Sequence, residues 1–214
     1  MENVMGQISD GVLDGNMAQT RELVQAAIDL GKSPDEILHS ALIPAMDEVG
    51  HLFEVEEYYV PEMLLSARAM QAGLDLIKPL LAEADVEPAG RVVIGTVSGD
   101  LHDIGKNLVA MMLEGAGFEV HDLGVDVSSE DFLNAVNEKN ADIVAISAML
   151  TTTMLNMEKT VKTFESSGLR DQVKIIIGGA PVTYDFAEQI GADGHAPDAS
   201  QVARLARELL ARKL

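Results

Sequence analysis

The fold turns on Arg91-Val92-Val93-Ile94-Gly95-Thr96-Val97-Ser98-Gly99-Asp100-Leu101-His102-Asp103-Ile104-Gly105-Lys106-Asn107. A short apolar run rich in β-branched residues breaks at Ser-Gly-Asp, and apolar residues then recur at helical spacing. That is strand, loop, helix. The pattern repeats downstream, with short apolar runs at 91–96, 119–123, 143–147, 173–177 and, more weakly, 193–196. Helical segments at 105–116, 130–140, 153–167 and 184–190 lie between them, and a last helix at 200–213 closes the chain. Regular alternation of β and α with right-handed crossovers predicts a parallel, doubly wound sheet. Ligands of such sheets sit outside the carboxyl ends of the strands, where the strand order reverses.

Upstream of Arg91 the chain reads as helices only. A run at 17–30 ends before Gly31, a C′ glycine. Ser33-Pro34-Asp35-Glu36 offers an N-cap, Pro at the first helical position and a capping-box Glu. Pro44 is expected to divide the next helical stretch into 34–42 and 44–53, and Pro61 opens a long amphipathic run to about 84. The expected fold class is therefore α + α/β: a four-helix bundle over 1–88, then a flavodoxin/Rossmann-like five-stranded sheet over 89–214. Residues 82–90 form the linker. With strand order 2-1-3-4-5, the segments 98–105, 147–153 and 178–179 follow three adjacent strands and should converge on one site.

Composition narrows the chemistry. The 214 residues contain no Cys, which excludes disulfides, thiolate metal sites and a cysteine nucleophile. The N-terminus has no secretory pattern and no window reaches the length of a membrane span, so a cytoplasmic protein is expected. The net charge is −20; residues 1–88 hold 4 Lys/Arg against 17 Asp/Glu, and 89–214 hold 11 against 18. Such a field repels phosphate backbones and excludes nucleic acid as a natural partner. It could steer basic protein partners, or serve solubility alone.

The loop Gly99–Asn107 carries one histidine with a carboxylate two residues earlier. Asp100 can accept one ring N–H of His102, which fixes the tautomer and directs the other nitrogen outward. A lone His without further His or Cys is a poor zinc site. It suits a metal whose other positions are filled by a macrocycle, which takes a single axial ligand from the protein. The plainer alternative is a surface His at the start of a helix. Phosphate binding at that helix N-terminus lacks its glycine pattern here.

Asp100-x-His102-x-x-Gly105, then Ser147-x-Met149 after 41 residues, then Gly178-Gly179 after 28 more, resembles the cobalamin-binding signature of base-off, His-on corrinoid proteins. The family form of the second element is Ser-x-Leu; Met149 replaces Leu with similar volume. The resemblance implies that His102 is the lower axial cobalt ligand and that Asp100 bonds its imidazole. It implies that Thr151 or Thr153 extends the relay, and that the displaced nucleotide tail threads past Gly105, Gly178 and Gly179, with Ser147 bonding the buried base. Asp103, Ile104 and Leu150 complete the expected cofactor-binding set. Asp47-Glu48-Val49-Gly50-x-Leu52-Phe53 and Glu56-Glu57-Tyr58-Tyr59-Val60-Pro61-Glu62 resemble the helical cap of corrinoid methyltransferase proteins. That cap covers the upper corrin face, which makes Tyr59, Met63 and Leu64 lid candidates, although such spacing usually marks bundle core.

A bundle plus a corrinoid domain matches the corrinoid proteins of three-component methyltransferase systems, and the two modules are similar to those of cobalamin-dependent methionine synthase. The resemblance implies a methyl carrier for a cobalamin-type cofactor cycling between Co(I) and methyl-Co(III). One methyltransferase would load it from a donor, and another would unload it to tetrahydrofolate or a thiol. A reductive activator is a further implied partner. The chain would not turn over a substrate alone, and the linker would act as hinge. A B12-binding light sensor would normally add a DNA-binding segment, for which neither residues nor basic charge remain. The small subunit of a corrinoid-dependent mutase seldom carries this cap.

Overall fold

The computed structural model describes residues 3–84 and 86–212. They fall into two compact units, one within Met1–Pro88 together with Glu114–Gly117, the other within Ala89–Leu113 and Phe118–Leu214.

The first unit is helical: α1 (Val4–Leu13), α2 (Met17–Asp29), α3 (Pro34–Ile37), α4 (Ile43–Glu54) and α5 (Val60–Glu83). Pro44 does not divide the third helical run, contrary to expectation. A π-turn at Leu38–Leu42 joins α3 to α4, and the Ile43 N–H bonds Leu38 C=O five residues back. Widening the turn accommodates a proline that has no N–H to donate. The bundle still has four rods, because α1 supplies one that the sequence reading omitted. Gly6 and Gly11 argue against a helix there, but Ile8 and Val12 are fully buried one turn apart. Gly11 is required by packing: a Cβ would lie 2.8 Å from Thr20 Oγ1 on α2.

The helix ends largely follow the sequence. Gly31 adopts φ +80° and the Lys32 N–H reaches back to Ala27 C=O, closing α2. Ser33 Oγ accepts the Glu36 N–H at 3.1 Å. The Glu36 carboxylate, however, pairs with Lys32 at 2.6 Å. Glu62 reaches back to the Tyr59 N–H at 3.1 Å and opens α5. The expected linker begins inside α5; Asp85 lies outside the described residues, and 86–90 hold no helix or strand.

The second unit is a five-stranded, all-parallel sheet in the order β2-β1-β3-β4-β5, as predicted. Its strands are β1 (Arg91–Thr96), β2 (Glu119–Asp122), β3 (Ile143–Ser147), β4 (Lys174–Gly178) and β5 (Gly194–Ala196). The intervening helices are α6 (Ile104–Gly115), α7 (Ser129–Lys139), α8 (Met154–Ser167) and α9 (Tyr184–Ile190), followed by α10 (Ala199–Ala211). Position 213, where the last helix was expected to end, lies outside the described residues. On one face Val93, Val144, Ile146, Ile175 and Ile177 pack with Phe132 of α7 and Phe164 of α8, both fully buried. Burying each ring contributes roughly 2–3 kcal/mol. Gly95 makes room for Phe132, whose Cζ would lie 2.8 Å from a Cβ there.

Candidate functional site

The order reverses between β1 and β3, so the switch point lies at their carboxyl ends. Thr96 is in register with Ser147, and Ser147 with Gly178, which places all three signature segments at neighbouring strand ends. The expected convergence is observed.

Asp100 is the centre of the arrangement. Its side chain is fully buried, and each oxygen serves a different loop. Oδ1 accepts the His102 backbone N–H at 3.1 Å and the His102 Nδ1–H at 2.7 Å. Oδ2 accepts the Met149 N–H at 2.8 Å, the Leu150 N–H at 3.3 Å and the Thr153 hydroxyl at 2.7 Å. Burial alone would raise this carboxyl. The bonds from Met149, Thr153 and His102 outweigh it and hold Asp100 well below the usual carboxylate range. An ionised Asp100 makes Nδ1 the donor, so the free lone pair of His102 is on Nε2.

The His102 side chain is 56% exposed although its base is tied down, and Thr96 Oγ1 donates to its carbonyl at 2.9 Å. The same loops carry exposed apolar residues: Leu101 at 73%, Ile104 at 78%, with Met149 and Leu150 nearly half-exposed. Apolar groups left in water on the loops of a half-exposed imidazole fit the underside of a large flat ligand better than a hydrated ion. Thr153 is buried and is the hydroxyl of the relay, whereas Thr151 is exposed. Asp103 is exposed, and its carboxylate accepts from Asn107 Nδ2 at 3.2 Å.

The glycines divide by cause. At Gly179, φ is +132° and a Cβ would lie 1.9 Å from Ala148 O, so the backbone itself demands glycine. Gly178 is confined by Ala196 O at 3.0 Å. Around Gly105 nothing lies within 4 Å of a Cβ, and its φ needs no glycine. The protein does not use that space, which fits a cradle kept clear for a bound group. Tyr59 is exposed, Leu64 half-buried and Met63 buried with Ser66, Ala67 and Met70 on one stripe of α5. That stripe has the spacing of bundle core, and Met63 belongs to it.

Sequence reading missed the polar frame beneath the loop. Lys106 is buried on α6, where it pairs with Asp122 and bonds Asn107 Oδ1 at 2.7 Å. Asp126, after β2, accepts from Gly99 N–H at 2.7 Å and Ser98 Oγ at 3.2 Å. Asn156 Nδ2 bonds Ser98 O at 2.7 Å. No spacing announces these, because nearly all of these bonds join segments distant in the chain.

A doubly wound sheet presenting one carboxylate-backed histidine at its switch point has the form of a ligand-binding module, with a single imidazole nitrogen left free to meet a bound group. Comparison with known proteins places it further. Residues 90–204 match a B12 binding domain, and residues 4–78 match a second B12 binding domain model. Dimethylamine corrinoid protein 1 of Methanosarcina acetivorans is 43% identical over 89% of this chain and 92% of its own length. The structure resembles a cobalamin-binding protein from Desulfitobacterium hafniense at 30% identity, with a TM-score of 0.80 over 97% of this chain and 98% of that one. It also resembles a chain of the methanol:cobalamin methyltransferase complex from Methanosarcina barkeri, again at 30% identity. There the TM-score is 0.87 over 98% of this chain and 80% of the other. The chain belongs to the B12-binding corrinoid protein family. No described helix is long and apolar enough to cross a membrane.

Proposed function

We propose that this protein is the methyl carrier of a corrinoid-dependent methyltransferase system, with residues 1–88 as cap and 89–214 as cofactor domain. It would act in the cytoplasm. When bound, the corrinoid supplies a cobalt able to take up and release a methyl group in different redox states. The chain's own residues do the rest. His102 Nε2 would be the protein nitrogen that holds the cobalt, in place of the cofactor's own base. Asp100 and Thr153 hold the imidazole and stabilise the charge that develops on it. Leu101, Ile104, Met149 and Leu150 exclude water from beneath the ring, Asp103 flanks it, and Gly105 keeps its entry clear. Ser147 and the Gly178-Gly179 pair border the passage for the displaced nucleotide tail.

In the bundle, Tyr59 and Leu64 are the residues we assign to shielding the methyl group, since neither is buried; Met63 serves the interior. Residues 82–90 act as the hinge that lets each partner reach the cofactor. Those partners are a methyltransferase that loads the carrier from a donor and another that unloads it to tetrahydrofolate or a thiol, with a reductive activator to restore Co(I). Alone, the chain turns over nothing. The Asp100–His102 pair at the switch point carries this reading.

Its test is electron paramagnetic resonance of the cob(II) protein grown with and without 15N-histidine. The expected result is a nitrogen splitting that changes with the label and vanishes in His102→Ala. A splitting indifferent to the label would mean that the ligand nitrogen is not a histidine of the protein.

A further inference from the structure

The position of His102 depends on the turn that precedes it. Val97 to Asp100 form a tight turn closed by the Asp100 N–H on Val97 O at 3.1 Å, with Gly99 at φ +81°. Asp100 and His102 follow it directly, so any shift of the turn is transmitted to the imidazole. Asp126 grips the turn from two sides. Its backbone N–H donates to Asp100 O at 3.0 Å. Its carboxylate Oδ1 accepts the Gly99 N–H at 2.7 Å and the Ser98 hydroxyl at 3.2 Å. To do both, Asp126 takes a left-handed backbone, φ +54°, which costs most L-residues about 1–2 kcal/mol. The next residue fixes it to the sheet: the Val127 N–H bonds Thr96 O at 2.9 Å, and Val127 forms a parallel bridge with Val97.

We propose that Asp126 is the positioning residue for the axial ligand, holding the Val97–Asp100 turn so that His102 meets cobalt at the right height and angle. The proposal rests on the corrinoid reading above. It differs from the Asp100 relay in kind: Asp126 acts on the backbone that carries the pair, through Ser98, Gly99 and the Asp100 carbonyl. A loose turn would let the imidazole draw back and the cofactor's own base compete for the metal.

Three substitutions separate the two things Asp126 does. Asp126→Asn keeps an acceptor and tolerates the left-handed backbone. Asp126→Gly keeps the backbone and loses the acceptor, and Asp126→Ala loses both. Each variant is loaded with hydroxocobalamin, reduced to cob(II), and read by paramagnetic resonance with 15N-histidine labelling, with corrinoid affinity measured in parallel. We expect Asn to match wild type, and Gly and Ala to lose the label-dependent splitting and bind about 10-fold more weakly or worse. A Gly variant with wild-type splitting and affinity would overturn the proposal.

A second readout needs no cofactor. In the cofactor-free protein the His102 Nδ1 proton should give a slowly exchanging, downfield NMR resonance in wild type and Asn, and lose it in Gly. Loss of that resonance in Gly supports the positioning role even if wild-type protein shows no histidine on cobalt, a result that would overturn the corrinoid reading instead. Retention in Gly counts against Asp126.

Discussion

Asp100 is buried with five donors directed at its carboxylate, so its ionisation bears directly on the stability of the second unit. Its carboxyl is held below the ordinary value of 3.8, so the folded state binds its proton less readily than the unfolded chain. The stability this contributes is complete above about pH 4 and is lost as pH falls through the folded value. Asp100→Asn should therefore make the acid limb of stability shallower by up to about one proton, as well as weakening the fold at neutral pH. Urea unfolding between pH 7 and pH 3 measures this; an unchanged slope below pH 4 would contradict it. The pairing of Asp100 with His102 is visible in the sequence, because two residues of spacing suffice. The choice of Thr153 over Thr151 is not. It depends on the turn after β3, where Thr153 points inward and Thr151 stays exposed.

At the scale of elements, β1, β3 and β4 are the frame; the alternation of short apolar runs with helices made the parallel sheet legible, and the flavodoxin-like order supplied their adjacency. Legibility failed where packing overrides local preference. Glycine-bearing α1 is a helix because Ile8 and Val12 are buried and Gly11 lets α2 approach. Pro44 leaves its helix unbroken because the preceding turn widens. The two kinds of site glycine give a prediction at this scale. Gly179→Ala drives a Cβ into Ala148 O and should destabilise the domain with or without corrinoid. Gly105→Ala meets nothing and replaces a poor helix former, so the free protein should be equally stable or gain up to about 1 kcal/mol. The same Gly105→Ala protein should bind corrinoid less tightly. Thermal melts and cobalamin titration check both, and unweakened binding by Gly105→Ala would remove its assigned role.

For the whole molecule, the division of labour follows from what each unit holds. The second unit carries the Asp100–His102–Thr153 arrangement and the exposed apolar residues of the neighbouring loops. The bundle carries most of the net negative charge, with 17 Asp/Glu against 4 Lys/Arg in residues 1–88. We read the chain as a carrier because of the Asp100–His102 pair and the family it belongs to. Family membership was legible because three short motifs keep their spacing across the sheet. The donor and acceptor are not, because nothing in those motifs distinguishes one methyl donor or acceptor from another. The most direct test is therefore transfer itself. Corrinoid-loaded protein is reduced, methylated with 13C-methyl iodide, freed of excess reagent and mixed with a methyl-corrinoid:acceptor methyltransferase and its acceptor. The label is expected to move to the acceptor in proportion to bound corrinoid, and only when that methyltransferase is present. Label that stays on the protein with every candidate acceptor enzyme, or leaves at the same rate with none, would contradict it.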